Sequence, residues 1–268
     1  MSTEIFDLGD VQIEAIINGT GNIIILLAAG GQDASKFNDF TPFLNKAGYQ
    51  TIAINRRGFG GSKGPLEEIT LHDLADDIAG VIKLLGNNPV HILGWAWGNR
   101  VARCLAEDHP DLVKSLILLA AGGRVPPNSE CLKRYRILGS PNSSKEERIE
   151  ALKFLFFSPS TNEEIIIKAL KRNQNWKEQE KTTRAHQKAN QATPLMDWWN
   201  GGKAPILVIQ GLDDQTAVPE NGQILERENK ERVKLVNIEN AGHFMIYEQP
   251  EKVAEEILSF LSSFKKDS

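Results

Sequence analysis

Five apolar runs rich in β-branched residues recur along this 268-residue chain, and helical periodicity fills the gaps between the first four. They are "NIIILLAAG" from Asn22, "YQTIAINRRG" from Tyr49, "PVHILG" from Pro89, "VKSLILLAAGG" from Val113 and "APILVIQG" from Ala204. Runs that do not alternate between apolar and polar residues must be covered on both faces, as in the strands of a parallel sheet. Between the second and third runs, Leu71, Leu74, Ile78, Val81, Ile82 and Leu85 recur at helical spacing before Gly86 stops the segment. Strands joined by helices imply right-handed crossovers. The fold class expected is therefore α/β, a doubly wound and mostly parallel sheet. Ahead of it, "EIFDLGDVQIEAIING" reads as a hairpin turning at Gly9-Asp10.

The alternation stops near Gly123. A polar, helical stretch opens at Pro126-Pro127 and closes at "WWNGGKAP", after which strand-like runs return in "APILVIQG" and "ERVKLVNIENAG". A last helix places Val253, Ile257, Leu261 and Phe264 on one stripe. The organisation expected is one core, residues 1–124 and 203–268, with a helical insertion over 125–202.

Composition narrows the function classes. A net charge of −4 gives no reason to expect a nucleic-acid partner. The Lys and Arg residues of the 145–184 stretch are mixed with glutamates and read as a solvated helical surface. Cys104 and Cys131 have no metal-ligand spacing, and Cys104 reads as a small buried hydrophobe. No run reaches the roughly 18 apolar residues of a membrane span, and the N-terminus lacks the basic and apolar regions of a secretory signal. A cytoplasmic protein without a membrane partner is expected. No nucleotide fingerprint, P-loop or metal cluster is legible, so no cofactor and no metal are implied. Oligomeric state is not legible.

Four stretches carry chemistry. "GWAWG" (Gly94–Gly98) sits where a strand turns sharply into a helix, "NRRGFGGS" (Asn55–Ser62) follows the second apolar run, "QGLDDQTAVP" follows the fifth, and "NAGHFMIYEQPE" precedes the last helix. In this order, and on these elements, they resemble the α/β-hydrolase superfamily over nearly the whole chain outside the insertion. "GWAWG" resembles the strand–turn–helix that holds G-x-S-x-G, whose serine is the nucleophile. By that resemblance the acid is Asp214, preferred over Asp213, and the histidine is His243. The carboxylate would hold one imidazole nitrogen protonated and turn the other toward the reaction centre. One oxyanion donor would be the backbone N–H of Trp97, at a helix N-terminus. The other would come from Gly30 or Gly31, in a loop where relatives often carry His-Gly. Ser62 reads as structural.

The departure from the resemblance that matters is Ala96, which stands where the serine would be. A methyl group cannot be acylated or alkylated, so covalent catalysis from this position is excluded, including by the aspartate or cysteine of other branches. Three readings stay open. His243, oriented by Asp214, could act as general base on water with a small organic ester-like or carbamate-like substrate, as the aminoacrylate or carbamate hydrolases with alanine at this position imply. Cofactor-free dioxygenases of this fold are a weaker comparison, because their acid follows an earlier strand that here ends "LILLAAGG" with no carboxylate. The chain could instead be a ligand-binding homologue without turnover, or a variant whose serine has been exchanged. The insertion corresponds to the cap of many relatives. Its aromatic residues include Tyr135, Phe156, Trp176, Trp198 and Trp199; Trp95, Trp198 and Trp199 are the pocket candidates, and His186 reads as a surface residue.

Overall fold

The computed structural model describes residues 1–86, 88–171 and 179–264. Trp176 lies outside the described residues. Among the described residues eight strands form one sheet: β1 (Ser2–Asp7), β2 (Gln12–Asn18), β3 (Asn22–Leu27), β4 (Tyr49–Ile54), β5 (Val90–Trp95), β6 (Val113–Leu119), β7 (Ile206–Gly211) and β8 (Val233–Ile238). Their order is β1-β2-β4-β3-β5-β6-β7-β8. The first two pair as the hairpin expected, with Asp7 opposite Gln12, and β2 pairs antiparallel with β4. Every other pairing is parallel. The strand order reverses beside β3, with β4 on one side and β5 on the other. In open α/β sheets ligands bind at such a switch point, beyond the carboxyl ends of the strands.

Helices cover both faces. On one side lie α2 (Leu71–Leu84), α3 (Gly98–Asp108) and α8 (Glu220–Glu228), packed on Ile25, Leu27, Ile92 and Val208. On the other, α1 (Thr41–Lys46) and α10 (Pro250–Ser262) cover Ile24, Leu26, Leu93 and Ile209. The period of two in a strand sends its neighbouring residues to opposite layers, which is why these runs are apolar throughout. A capping box starts α2: Thr70 accepts from the Asp73 N–H, and Asp73 accepts from the Thr70 N–H. Val253, Ile257 and Leu261 are the buried stripe of α10, whereas Phe264 lies past its end and is half-buried against His91 and Phe260.

Between β6 and β7 the chain forms α4 (Ser129–Gly139), α5 (Lys145–Phe156), α6 (Glu163–Lys171) and α7 (Glu180–Ala192). No helix among the described residues is long and apolar enough to cross a membrane. A short helix, α9 (Met245–Glu248), leads into α10.

Candidate active site

The turn from β5 into α3 is held in a conformation that its own residues disfavour. Ala96, at its apex, has φ +50°, the left-handed region in which a Cβ costs on the order of 1 kcal/mol or more. Two glycines make the turn possible. A Cβ on Gly98 would stand 2.2 Å from the Leu27 carbonyl oxygen, and one on Gly94 would stand 2.8 Å from the Asn99 Cα and N. Neither contact is physical, so α3 can approach β3 and β5 this closely only with glycine at both positions. The Ala96 N–H donates to the Leu119 carbonyl at 2.8 Å, and the buried Asn99 amide donates to Leu119 and Ala120 at 2.9 and 3.2 Å. Asn99 therefore ties the start of α3 to the end of β6, a role its position in "GWAWGN" does not reveal.

Asp214 and His243 meet across 29 residues of chain. The His243 Nδ1 lies 2.9 Å from Asp214 Oδ2, and both residues are buried. The other carboxylate oxygen of Asp214 accepts from the Thr216 and Ala217 N–H groups, both at 2.8 Å. With the carboxylate held by two backbone donors, Nδ1 is the nitrogen that carries hydrogen, and Nε2 is left as the acceptor. Asp213 points elsewhere and accepts from the Ser158 hydroxyl at 2.7 Å. The residue before the histidine, Gly242, donates to Glu248 Oε2 at 2.8 Å, while the Ser158 N–H and the Thr161 hydroxyl donate to Oε1 at 2.7 and 2.6 Å. Burial pushes the Glu248 carboxyl up, and this one side chain ties the histidine loop to the segment after α5.

His243, Ala96, Trp97, Gly30 and Gly31 all line one cavity of about 1560 Å³. Gly30 packs directly on Trp97: a Cβ there would come within 3.3 Å of the Trp97 Cβ. The two backbone segments expected to supply oxyanion donors are therefore neighbours. Gly31 has φ +69° and faces Thr183 of α7. The loop holding these glycines is braced by Arg56, whose guanidinium donates to the Ala28 and Ala29 carbonyls at 2.5 and 3.0 Å. Arg56 also lies over the Trp97 ring, 4.9 Å from its centroid. Complete burial lowers its pKa to about 9, so the brace stays cationic at neutral pH. Ser62 donates to the Asn55 carbonyl at 2.6 Å and accepts from the Glu14 N–H, a local tie far from any attacking role.

Four aromatic and histidine positions differ from expectation. Trp95 follows Leu93 on the same face of β5 and is completely buried in the layer beneath α10. Its indole N–H donates to the His243 carbonyl at 2.9 Å and its ring meets Phe37, Phe244 and Tyr247 edge-on. It supports the histidine loop from below and is absent from the cavity lining. Trp198 and Trp199 are buried too, stacked with Arg103 at 4.6 and 5.1 Å, and Trp199 donates to Glu228. They pack behind Gly123 and do not line the cavity. His186 is not a surface residue: it is 3% exposed, stacked on Trp97 at 5.4 Å, with Nε2 3.0 Å from the Arg57 carbonyl. Burial and the Arg56 charge push its pKa down to about 3, so it stays neutral and closes the cavity beside Trp97.

Cys104 is buried as expected, but the fold sets it beside two polar groups that no local spacing announces. His72, Cys104 and Asp108 bring ligand-type atoms within 4.8 Å of one another, from α2 and from one face of α3. His72 Nδ1 lies 2.8 Å from Asp108 Oδ2, and the thiol lies 3.4 Å from each. These contacts form a hydrogen-bonded ion-pair cluster, in which burial and Asp108 push the thiol well above its usual range.

The buried histidines give the fold an acid-sensitive edge. Burial lowers His91 to about 4, where its Nδ1 lies 2.7 Å from the Ser115 hydroxyl, and His186 to about 3. Unfolded histidines protonate near pH 6.5. Below that pH the unfolded chain binds protons the native state refuses, so stability falls with pH until the folded values are reached. His72, raised by Asp108, works in the opposite direction but is much more exposed. Urea unfolding should show a stability about 2–4 kcal/mol lower at pH 5 than at pH 7. A flat profile across that window would mean that the two imidazoles are not held neutral.

The alpha/beta hydrolase fold family matches residues 22–250. A 2-hydroxy-6-oxononadienedioate/2-hydroxy-6-oxononatrienedioate hydrolase of a Pseudomonas species is 24% identical over 276 aligned positions, covering 95% of this chain and 94% of that one. A fluoroacetate dehalogenase of a Burkholderia species is 30% identical over 118 residues, spanning 42% of this chain and 38% of the relative. Among solved structures, a thermophilic esterase from Thermogutta terrifontis superposes with a TM-score of 0.79 at 23% identity, covering 98% of this chain and 99% of that one. The sheet order, the helices on both faces and the family match over most of its length lead to one statement: this chain belongs to the alpha/beta hydrolase fold family.

Proposed function

We propose that the protein is a hydrolase that works without a covalent intermediate, with His243 as general base and water as the nucleophile. The observation that carries this reading is the buried His243–Asp214 pair at 2.9 Å, opening on the same cavity as Ala96, whose side chain has no group to acylate. Relatives of matching length are named as hydrolases, and the dioate hydrolase is one of them.

The proposed reaction is hydrolysis of a small ester or carbamate. His243 Nε2 takes a proton from water as the water oxygen bonds to the substrate carbonyl carbon, and the imidazolium that forms is stabilised by Asp214. The carbonyl oxygen becomes an oxyanion facing the N–H groups of Trp97 and Gly30. Collapse breaks the bond to the leaving group, which receives the proton from His243. Removing the serine hydroxyl leaves room at the turn for the attacking water. The helices α4–α7 act as the cap, and Tyr135 and Phe156 give the cavity an apolar wall above the reacting atoms.

The test is turnover of p-nitrophenyl acetate in the presence of a serine-directed fluorophosphonate. Steady release of p-nitrophenolate at an undiminished rate is expected. Complete inhibition would reveal a serine nucleophile elsewhere. A lack of any enzymatic rate would leave a ligand-binding protein on a hydrolase fold.

A further inference from the structure

Among the described residues, Arg100 is a cation at the cavity wall with no hydrogen-bond or ion-pair partner. It sits on the first turn of α3, three residues after Trp97 at the N-cap, a helical spacing that sets the two side by side. Its side chain lines the cavity. Among the described residues its guanidinium makes no hydrogen bond and no ion pair; its one described contact is with the Trp198 ring, 5.4 Å away. Burial lowers its pKa, and Arg103 lies behind it over the same indole.

The other charges around the cavity have partners or solvent. Arg184 pairs with Glu180, Glu163 with Lys153, and Lys36 with Asp33. Arg148 donates to three backbone carbonyls, and Lys145 is exposed. Arg103 has committed its donors to the Asn99, Trp199 and Gly122 carbonyls. With no protein acceptor for it among the described residues, this half-buried Arg100 guanidinium keeps its N–H groups available to a ligand in the cavity. Its planar fork suits a carboxylate, which can accept two parallel hydrogen bonds.

We propose that Arg100 anchors a carboxylate of the substrate, so that the molecule hydrolysed is an anionic ester or carbamate whose carboxylate lies a short spacer away from the scissile carbonyl. The carboxylate end binds at the Arg100 guanidinium on the cavity wall, and the carbonyl then falls at the Ala96 turn, within reach of His243. This deepens the proposed function and rests on it for the reaction, but not for the binding.

Two arms test it. In the binding arm, calorimetry compares benzoate with its neutral isostere benzamide. Benzoate should bind about tenfold more tightly, and Arg100→Met, which keeps an apolar stem over Trp198, should remove that preference. Arg100→Lys should retain part of it, because the charge stays while the fork is lost. In the catalytic arm, the ratio of kcat/KM for p-nitrophenyl hemisuccinate to that for p-nitrophenyl butyrate should fall about tenfold in Arg100→Met, mostly through KM. Equal binding of benzoate and benzamide, absent benzoate binding, or a preference that survives Arg100→Met would overturn the assignment. Should Arg100→Met fail to fold, Arg100→Gln and the wild-type preference decide the matter in the same way. If benzoate is preferred but neither ester turns over, the hydrolase reading fails and the carboxylate site stands.

Discussion

Replacing His243 with alanine is expected to lower the rate of activated-ester hydrolysis by about a thousandfold, equivalent to about 4 kcal/mol of transition-state stabilisation. The imidazole supplies the base that makes water a nucleophile at neutral pH and the acid that expels the leaving group, so both halves of the reaction lose their proton carrier. Asp214→Asn should cost a comparable factor for a different reason. The amide can offer its N–H to Nδ1, which turns the imidazole into the wrong tautomer and leaves Nε2 protonated. Thermal unfolding separates these losses from misfolding. The Thr216 and Ala217 N–H groups keep an acceptor in Asp214→Asn, so Tm should move little while kcat collapses. A His243→Ala enzyme with wild-type kcat would remove this residue from the chemistry.

The second large effect concerns the residue at the apex of the turn. Ala96 already has the positive φ that a serine nucleophile would need, and the glycines on either side already admit the close approach of α3. Ala96→Ser should therefore place a hydroxyl on the wall that His243 also lines, without rebuilding the backbone. The wild-type protein is expected to be inert to a fluorophosphonate, and Ala96→Ser to become labelled stoichiometrically. Labelling should disappear again in Ala96→Ser/His243→Ala, because the hydroxyl needs its base. If Ala96→Ser stays unlabelled while folding normally, the turn is not aligned with His243 and the family mechanism cannot be regained by one residue.

The parts of this molecule that are legible in its sequence are those that depend on local pattern. Uninterrupted apolar runs mark the strands, helical spacing marks α2 and α10, and the Gly9-Asp10 turn marks the hairpin. The pairing of Asp214 with His243 is reached through resemblance, and the fold brings the two side chains together. The tight turn at Ala96 is also legible, because the glycines flanking it allow little else.

What escapes depends on direction and on distant partners. Trp95 reads in sequence as a neighbour of the apex residue, yet strand alternation sends it with Leu93 into the layer below the sheet. Trp198 and Trp199 read as pocket residues until Arg103, nearly a hundred residues earlier, is seen stacked on them. His186 lies in a polar stretch, and only the fold brings Trp97, Phe59 and the Arg57 carbonyl around it. Arg56 is visible as part of "NRRG", but its bracing of the Ala28 and Ala29 carbonyls needs the register of β3 against β4. Arg100 has no sequence signal at all, since lacking a partner among the described residues is a property of its surroundings.

The hydrolase reading requires that water, not the protein, attacks the substrate. Intact-protein mass spectrometry during steady turnover of p-nitrophenyl acetate tests this directly. Attack by water predicts an unmodified chain of 29.8 kDa throughout, while p-nitrophenolate accumulates over many turnovers. An acetylated chain that forms and decays at the rate of turnover would contradict it.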